Sequence, residues 1–127
     1  MKEIIQWGIM GCGRIARDFA EGLKALPDAK LSAAASLTPG RADAFAAKFG
    51  AAKFYTDYES LAGDPDVDII YVATLHKDHH PNCRLALEGG KPVLCEKPFT
   101  LNAPEARELV NLARSKGLFL MEAMWTR

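Results

Sequence analysis

Short apolar runs alternate along the chain with longer segments that have helical periodicity. The clearest run, residues 67–73, is rich in β-branched side chains, as buried strands are. This alternation is typical of a parallel sheet whose strands are joined by crossover helices. The pattern predicts strands at residues 4–10, 30–36, 53–55, 67–73, 92–95 and 118–121.

Turn and capping signals bound the segments between these strands. Thr38-Pro39 has the form of a helix N-cap followed by proline at the first helical position, and Gly50 is a stop signal. Asn102 and Glu105 have the three-residue spacing of a capping box. We therefore predict helices at 14–26, 39–49, 58–62, 79–88 and 102–115.

The spacing of these elements favours one sheet topology. Crossovers between parallel strands are right-handed, and six strands spaced in this way favour the doubly wound order 3-2-1-4-5-6. We expect one α/β domain of the Rossmann type at residues 1–123. Gly11 and Thr74 should then face each other in the crevice between the first and fourth strands.

Composition excludes several classes of partner. The 16 basic and 16 acidic residues cancel, so no net charge attracts the chain to nucleic acid or to an anionic membrane. No apolar run approaches the ~18–20 residues of a spanning helix. The first residues also lack the basic region and cleavage site of a leader. We expect a cytoplasmic protein that binds neither nucleic acid nor membrane.

Three cysteines, Cys12, Cys83 and Cys95, form no CxxC pair. An odd number without such a pair argues against a disulfide framework and against a structural zinc site. Cys95 beside Glu96 could be interpreted as an activated nucleophile, but a cysteine that closes an apolar strand is more often a core residue. We expect reduced thiols with no chemical role.

The stretch GCGRIA matches the G-x-G-x-x-G/A pattern at a turn from a strand into a helix. Gly11 permits the tight turn, Gly13 lets a pyrophosphate approach the backbone, and Ala16 allows close packing of helix on strand. The free amides at the helix start, including those of Arg14 and Ile15, should stabilise the pyrophosphate charge. The Arg14 side chain either flanks the phosphate or is simply solvated.

The second strand lacks the acidic residue that usually reads the adenosine ribose of NAD. Ser36 occupies that place, followed by Thr38 and Arg41. Hydroxyls, a helix start and an arginine can accept a 2′-phosphate, which a carboxylate would repel. The sequence therefore favours NADP, with NAD as the second choice. In the alternative interpretation Thr38 is only an N-cap and Arg41 is a solvated helix residue.

Glu96-Lys97-Pro98 completes a set of motifs with the glycine loop, the segment 64–68, Thr74 and the ending LMEAMWTR. Together these resemble the glucose-fructose oxidoreductase and inositol dehydrogenase family (Gfo/Idh/MocA). The ending is most similar to its dimeric dihydrodiol dehydrogenase branch, which includes NADP-dependent D-xylose dehydrogenases. The resemblance implies an oxidoreductase that transfers hydride between nicotinamide and a sugar or diol hydroxyl or carbonyl.

The resemblance also implies roles for particular residues. Lys97 would be catalytic, beside the hydroxyl being oxidised, where it assists the proton transfer and its cation stabilises developing negative charge. Glu96 and Pro98 would fix its position. Trp125 and Arg127 would approach the nicotinamide, or would pack against a following domain. Family members continue into a substrate domain that carries the dimer interface, so 124–127 would begin the connection to that domain and a homo-oligomeric parent enzyme is expected.

His76, His79 and His80 form an H-x-x-H-H cluster that could bind a metal. No glutamate or cysteine completes a ligand set, so we predict no metal. The family commonly has Thr-Pro-Asn where this chain has Thr74-Leu75-His76. We expect Thr74, His76 and His79 among the cofactor contacts, with His76 replacing the family asparagine beside the ribose. Capping and packing are the alternative for the histidines.

Two other functions share part of this pattern. A non-catalytic dinucleotide-sensing module would use the same cofactor loop, whereas a methyltransferase would usually need an acid at the position of Ser36. Catalysis needs the substrate held ~3–3.5 Å from the nicotinamide, and in the family a following domain holds it there. We therefore expect these 127 residues to bind cofactor without turnover. Without that domain, an apolar face near the sixth strand should be exposed.

Overall fold

The computed structural model describes residues 4–97 and 102–122. In these ranges six parallel strands form one sheet in the order β3-β2-β1-β4-β5-β6, which confirms the predicted fold class and topology. The strands are β1 (Ile5–Met10), β2 (Ala29–Ala35), β3 (Lys53–Tyr55), β4 (Ile69–Val72), β5 (Val93–Cys95) and β6 (Leu120–Glu122). The helices are α1 (Arg14–Lys24), α2 (Arg41–Phe49), α3 (Tyr58–Ala62), α4 (His79–Glu88) and α5 (Ala103–Lys116).

Helices cover both faces of the sheet. Successive residues of a strand point to opposite faces, and β1 shows this directly. Ile9 packs in the apolar cluster shared with α1 and α2, whereas Met10 packs in the cluster shared with α3, α4 and α5. Both side chains are completely buried. The sheet is therefore the middle layer of three, as a doubly wound fold requires.

The start of α2 differs from the sequence prediction. The helix begins at Arg41, after Gly40 with φ of +78°, and not at Pro39. Thr38 instead accepts a backbone hydrogen bond from Arg41 at 3.2 Å, which closes a turn. The assignment of Thr38 as the N-cap was wrong, because the left-handed Gly40 turns the chain immediately before the helix.

Other capping predictions are confirmed. Gly50 ends α2 with φ of +76°. The Asn102 side chain caps α5 by accepting a hydrogen bond from the Glu105 amide at 3.0 Å. No helix in the described ranges is long and apolar enough to cross a membrane.

Cys12, Cys83 and Cys95 are buried thiols. Contact with Cys83 and burial raise the pKa of Cys95 far above its ordinary value, although a hydrogen bond with His79 opposes this. A thiol in that state is not a nucleophile at neutral pH. The interpretation of Cys95 as a core residue is confirmed.

Candidate functional site

Gly11 forms the turn at the carboxyl end of β1. Its φ is +95°, and an added Cβ would lie 2.9 Å from the Ala73 carbonyl oxygen and 3.0 Å from Cγ2 of Thr74. The Ala73 amide in turn donates to the Met10 carbonyl at 2.8 Å. Gly11 and Thr74 therefore face each other across the β1–β4 crevice, as predicted, and only glycine fits this turn without strain.

Gly13 is the residue from which α1 begins, and it borders open space. Its backbone is extended, and an added Cβ would meet no atom within 4 Å. No side chain caps this helix, and its first turn has no acidic residue. The first amides of α1 lack intrahelical acceptors and carry the positive end of the helix dipole. A phosphate group can approach this backbone directly.

A cavity of about 540 Å³ separates the first turns of α1 from α2. Among the described residues, four basic side chains line it and no acidic side chain does: Arg14, Arg17, Arg41 and Lys48. Within the described part of the chain, the three arginines form no ion pair with an acidic side chain. The cavity is therefore positively charged without internal neutralisation, so its chemistry suits a polyanion.

Sequence reasoning identified Arg14 and Arg41 but missed Arg17 and Lys48. Their spacing from Arg14 and from Arg41 could have identified them, because residues three or seven apart share one helix face. Cys12 also lines the cavity, and its thiol donates to the Ala35 carbonyl at 3.4 Å. Burial raises the pKa of Cys12 to about 11, despite the opposing effect of nearby Arg41. The thiol stays neutral and adds no negative charge.

Ser36 follows β2 and is buried. Its Oγ accepts a hydrogen bond from the Thr38 amide at 3.2 Å, and its own amide donates to the Tyr55 carbonyl at 3.2 Å. The next side chain, Leu37, is 64% exposed. The end of β2 thus offers a hydroxyl and an apolar side chain, with no carboxylate to repel a phosphate.

Thr74, at the other side of the crevice, is held by α4. The His79 Nε2 lies 3.0 Å from the Thr74 carbonyl oxygen, and the Asn82 amide donates to Thr74 Oγ1 at 2.9 Å. His79 is completely buried. His79 therefore lies behind Thr74 and supports it, as does Asn82, which sequence reasoning overlooked.

The three histidines do not converge. His76 is exposed in a short turn, His76–Asp78, before α4, and its ring centroid lies 5.6 Å from that of His79. His80 instead pairs with Glu108 of α5 at 2.5 Å. Among the described residues, no group of three or more side chains has a metal-binding arrangement.

Glu96 and Lys97 follow β5 at the same edge of the sheet. The Glu96 amide donates to the Val72 carbonyl at 2.9 Å, and its buried carboxylate accepts a hydrogen bond from the Tyr71 hydroxyl. Lys97 is exposed and lies beyond the end of β5. Because the preceding residue, Glu96, bonds to the last residue of β4, Lys97 lies next to the residues that follow β4. Pro98, Trp125 and Arg127 lie outside the described residues.

Comparisons with known proteins agree with this geometry. Residues 5–124 match the profile described as oxidoreductase family (GFO_IDH_MocA), NAD-binding Rossmann fold. The trans-1,2-dihydrobenzene-1,2-diol dehydrogenase of Mus musculus is 49% identical over 125 residues, which are 97% of this chain and 38% of that protein. The D-xylose 1-dehydrogenase (NADP(+)) of Hypocrea jecorina is 45% identical, and the match covers 97% of this chain and 34% of that protein.

A mutant 3-ketoreductase from Actinomadura kijaniata, solved with TDP-benzene and NADP, superposes with a TM-score of 0.89. It is 38% identical, and the match covers 94% of this chain and 37% of the ketoreductase. The chain thus spans little more than a third of the proteins that it matches.

Proposed function

Because the chain belongs to the Gfo/Idh/MocA oxidoreductase family with its NAD-binding Rossmann fold, we propose that it is the cofactor-binding domain of an NADP-dependent oxidoreductase. The domain occupies residues 1–123, and 124–127 begin the connection to a substrate domain. The substrate is a sugar or diol hydroxyl or the corresponding carbonyl, as the names of the dihydrodiol and D-xylose dehydrogenases suggest. The parent enzyme is a cytoplasmic homo-oligomer.

The cation-lined cavity beside the open glycine turn carries the proposal. The pyrophosphate of the dinucleotide would bind the amides after Gly13, including those of Arg14 and Ile15. The adenosine 2′-phosphate would enter the cavity beside Thr38 and Arg41. The Ser36 hydroxyl at the strand end is compatible with this phosphate, and the absence of acidic side chains from the cavity lining supports it.

The carboxyl ends of β4 and β5 would serve the nicotinamide half. Thr74 borders the crevice from the end of β4, His76 would reach the cofactor from the turn before α4, and Glu96 holds the chain at Lys97. Bound NADP would accept the hydride in alcohol oxidation. Lys97 would hydrogen-bond the substrate oxygen, assist the transfer of its hydroxyl proton and stabilise the developing negative charge. By resemblance to the family, Trp125 and Arg127 would serve the same end of the cofactor.

A dinucleotide-sensing module would use the same glycine turn and cavity. It would have no need of a lysine beyond β5, where a substrate hydroxyl would lie. We therefore favour the enzyme.

Calorimetric titration of the 127-residue chain with NADPH and with NADH tests the cofactor proposal. We expect tighter binding of NADPH by about tenfold or more, because a charge-assisted contact to the 2′-phosphate adds at least ~1.5 kcal/mol. The chain alone should not oxidise D-xylose, since it spans little more than a third of its relatives. Equal affinities for the two cofactors would contradict the assignment of NADP.

A further inference from the structure

The cavity between α1 and α2 has cations on two opposite walls. Arg14 and Arg17 are three residues apart on α1, and Arg41 and Lys48 are seven apart on α2, so each pair shares one helix face. An anion between the helices would therefore meet guanidinium groups from both sides. Guanidinium groups suit a phosphate because their planar fork can donate two parallel hydrogen bonds.

The strand end contributes no charge of its own. Ser36 is small and buried, and its Oγ already accepts the Thr38 amide. Leu37, the next residue, is apolar. The charge that would recognise a 2′-phosphate must therefore come from the two helices.

Arg14 and Arg17 cannot have the same role. Arg14 is the first residue of α1, beside the amides that would bind the pyrophosphate of either dinucleotide. Arg17 lies three residues further along, which is about 4.5 Å of helix rise. Its side chain lines the cavity wall opposite Arg41. A contact made there would serve a ligand that carries the additional phosphate.

We propose that Arg17 is a specificity-determining residue that binds the adenosine 2′-phosphate together with Arg41 and so selects NADP(H) over NAD(H). This inference rests on the proposed cofactor function and names the residues behind its selectivity. Lys48 lies one helical turn beyond Ala44 on α2, and its Nζ lies 5.5 Å from the centroid of the Phe49 ring. It therefore adds positive charge at the end of the cavity farthest from the start of α2.

Titration with adenosine 2′,5′-bisphosphate and with 5′-AMP tests the inference. These ligands differ by the 2′-phosphate alone. The Arg17→Gln variant should bind the bisphosphate about tenfold more weakly, with little change for 5′-AMP. Arg17→Lys should recover part of the loss, because lysine retains the charge but not the fork. Arg17 is exposed and glutamine is a good helix former, so the variant should fold.

Lys24→Gln is the matched control, since Lys24 lies on the same helix but outside this cavity. It should leave both affinities unchanged. Unchanged bisphosphate binding by Arg17→Gln would overturn the inference, as would an equal loss for both ligands. If the unmodified chain bound neither ligand, the proposed cofactor function itself would fail, and this inference with it.

Discussion

The hydroxyl of Tyr71 donates a hydrogen bond to the carboxylate of Glu96, the residue immediately before Lys97. Tyr71 is completely buried in β4, and its ring stacks on Phe19 of α1 with the centroids 3.9 Å apart. Burial and the contact with Glu96 raise the pKa of Tyr71 well above its ordinary value, so the phenol remains a donor. The chain that carries Lys97 is thereby tied to the helix that follows the glycine turn.

Tyr71→Phe keeps the stacked ring and removes the donor. We expect a loss of about 1–2 kcal/mol in the free energy of unfolding, measured by urea denaturation. Amide hydrogen exchange near residue 96 should also become faster, because the Glu96 carboxylate loses one anchor. Tyr55→Phe removes a phenol bond to Asp64, away from Lys97, and should not change exchange there. Equal exchange in both variants would show that the Tyr71 contact does not hold this segment.

Fold and glycine turn were predictable because their signals are local. Apolar runs, stop residues and the G-x-G-x-x-A pattern each depend on neighbouring positions, and crossover handedness then orders the strands. Of the four basic residues that line the cavity, only Arg14 and Arg41 were predicted. In the sequence, Arg17 and Lys48 resemble solvated helix residues, and only the packing of α1 against α2 shows that they border the same cavity.

The histidines show the same limit. Sequence spacing treats His76 and His79 alike, but one is exposed and the other is completely buried behind Thr74. Which side of α4 faces the sheet depends on tertiary packing, which a three-residue spacing cannot reveal. The start of α2 was missed because the Thr-Pro signal precedes a glycine whose left-handed conformation overrides it.

The two glycines of the turn should respond differently to alanine. Gly11→Ala places a Cβ at a φ of +95° and within 3.0 Å of the Ala73 backbone. We expect a loss of about 2–4 kcal/mol in the free energy of unfolding, from the positive φ and the steric overlap. Thermal or urea denaturation would measure it.

Gly13→Ala should leave stability nearly unchanged, because its φ of −89° suits alanine and the new Cβ meets no protein atom within 4 Å. Its effect should fall on NADPH binding, since the methyl group occupies the space proposed for the pyrophosphate. Calorimetry should show weaker binding by a folded protein. Unimpaired NADPH affinity in Gly13→Ala would place the phosphates elsewhere.

Asp64 is expected to make stability depend on acid pH. Burial alone would raise the pKa of Asp64, but hydrogen bonds from Lys53, from the Asp66 amide and from Tyr55 lower it below its ordinary value. A lowered folded pKa gives a stabilisation that is present above the unfolded value of about 3.9 and is lost as the pH falls through the folded value. Asp64→Asn should therefore be less stable than the unmodified chain at pH 7, and the difference should shrink in acid.

Asp66→Asn is the matched control, because Asp66 contacts the same Lys53 at 3.0 Å but its side chain is 67% exposed. An exposed pair contributes little. Urea midpoints at neutral and acid pH measure both variants. A constant difference between Asp64→Asn and the unmodified chain across the acid range would contradict the assignment to this carboxylate.

Ser36→Asp should reverse the cofactor preference. The new carboxylate would lie at the end of β2, where it could accept the Thr38 amide as Ser36 does and would repel a 2′-phosphate. We expect NADPH affinity to fall by about tenfold or more while NADH affinity is kept or improved. Ser36→Asn, similar in shape but uncharged, should cause a smaller loss. An unchanged preference in Ser36→Asp would show that the phosphate lies away from the strand end.

Lys97 can be tested in a chimaera, because the mouse dihydrodiol dehydrogenase is 49% identical over 125 residues. This chain would replace the corresponding segment, and the remainder of that enzyme would supply the substrate side. Activity of the unmutated chimaera with a trans-dihydrodiol is the first requirement.

In that chimaera, Lys97→Met should lower kcat by about 10²-fold, because it removes the donor that stabilises charge on the substrate oxygen. The Kd for NADPH should change little, since the proposed phosphate contacts lie at Gly13 and between α1 and α2. Lys97→Arg keeps a positive charge but cannot release a proton near neutral pH, so it should recover only part of the rate. Steady-state kinetics and NADPH titration separate these effects. If Lys97→Met turned over at the unmutated rate, Lys97 would be a surface residue and the proton-transfer role would belong elsewhere.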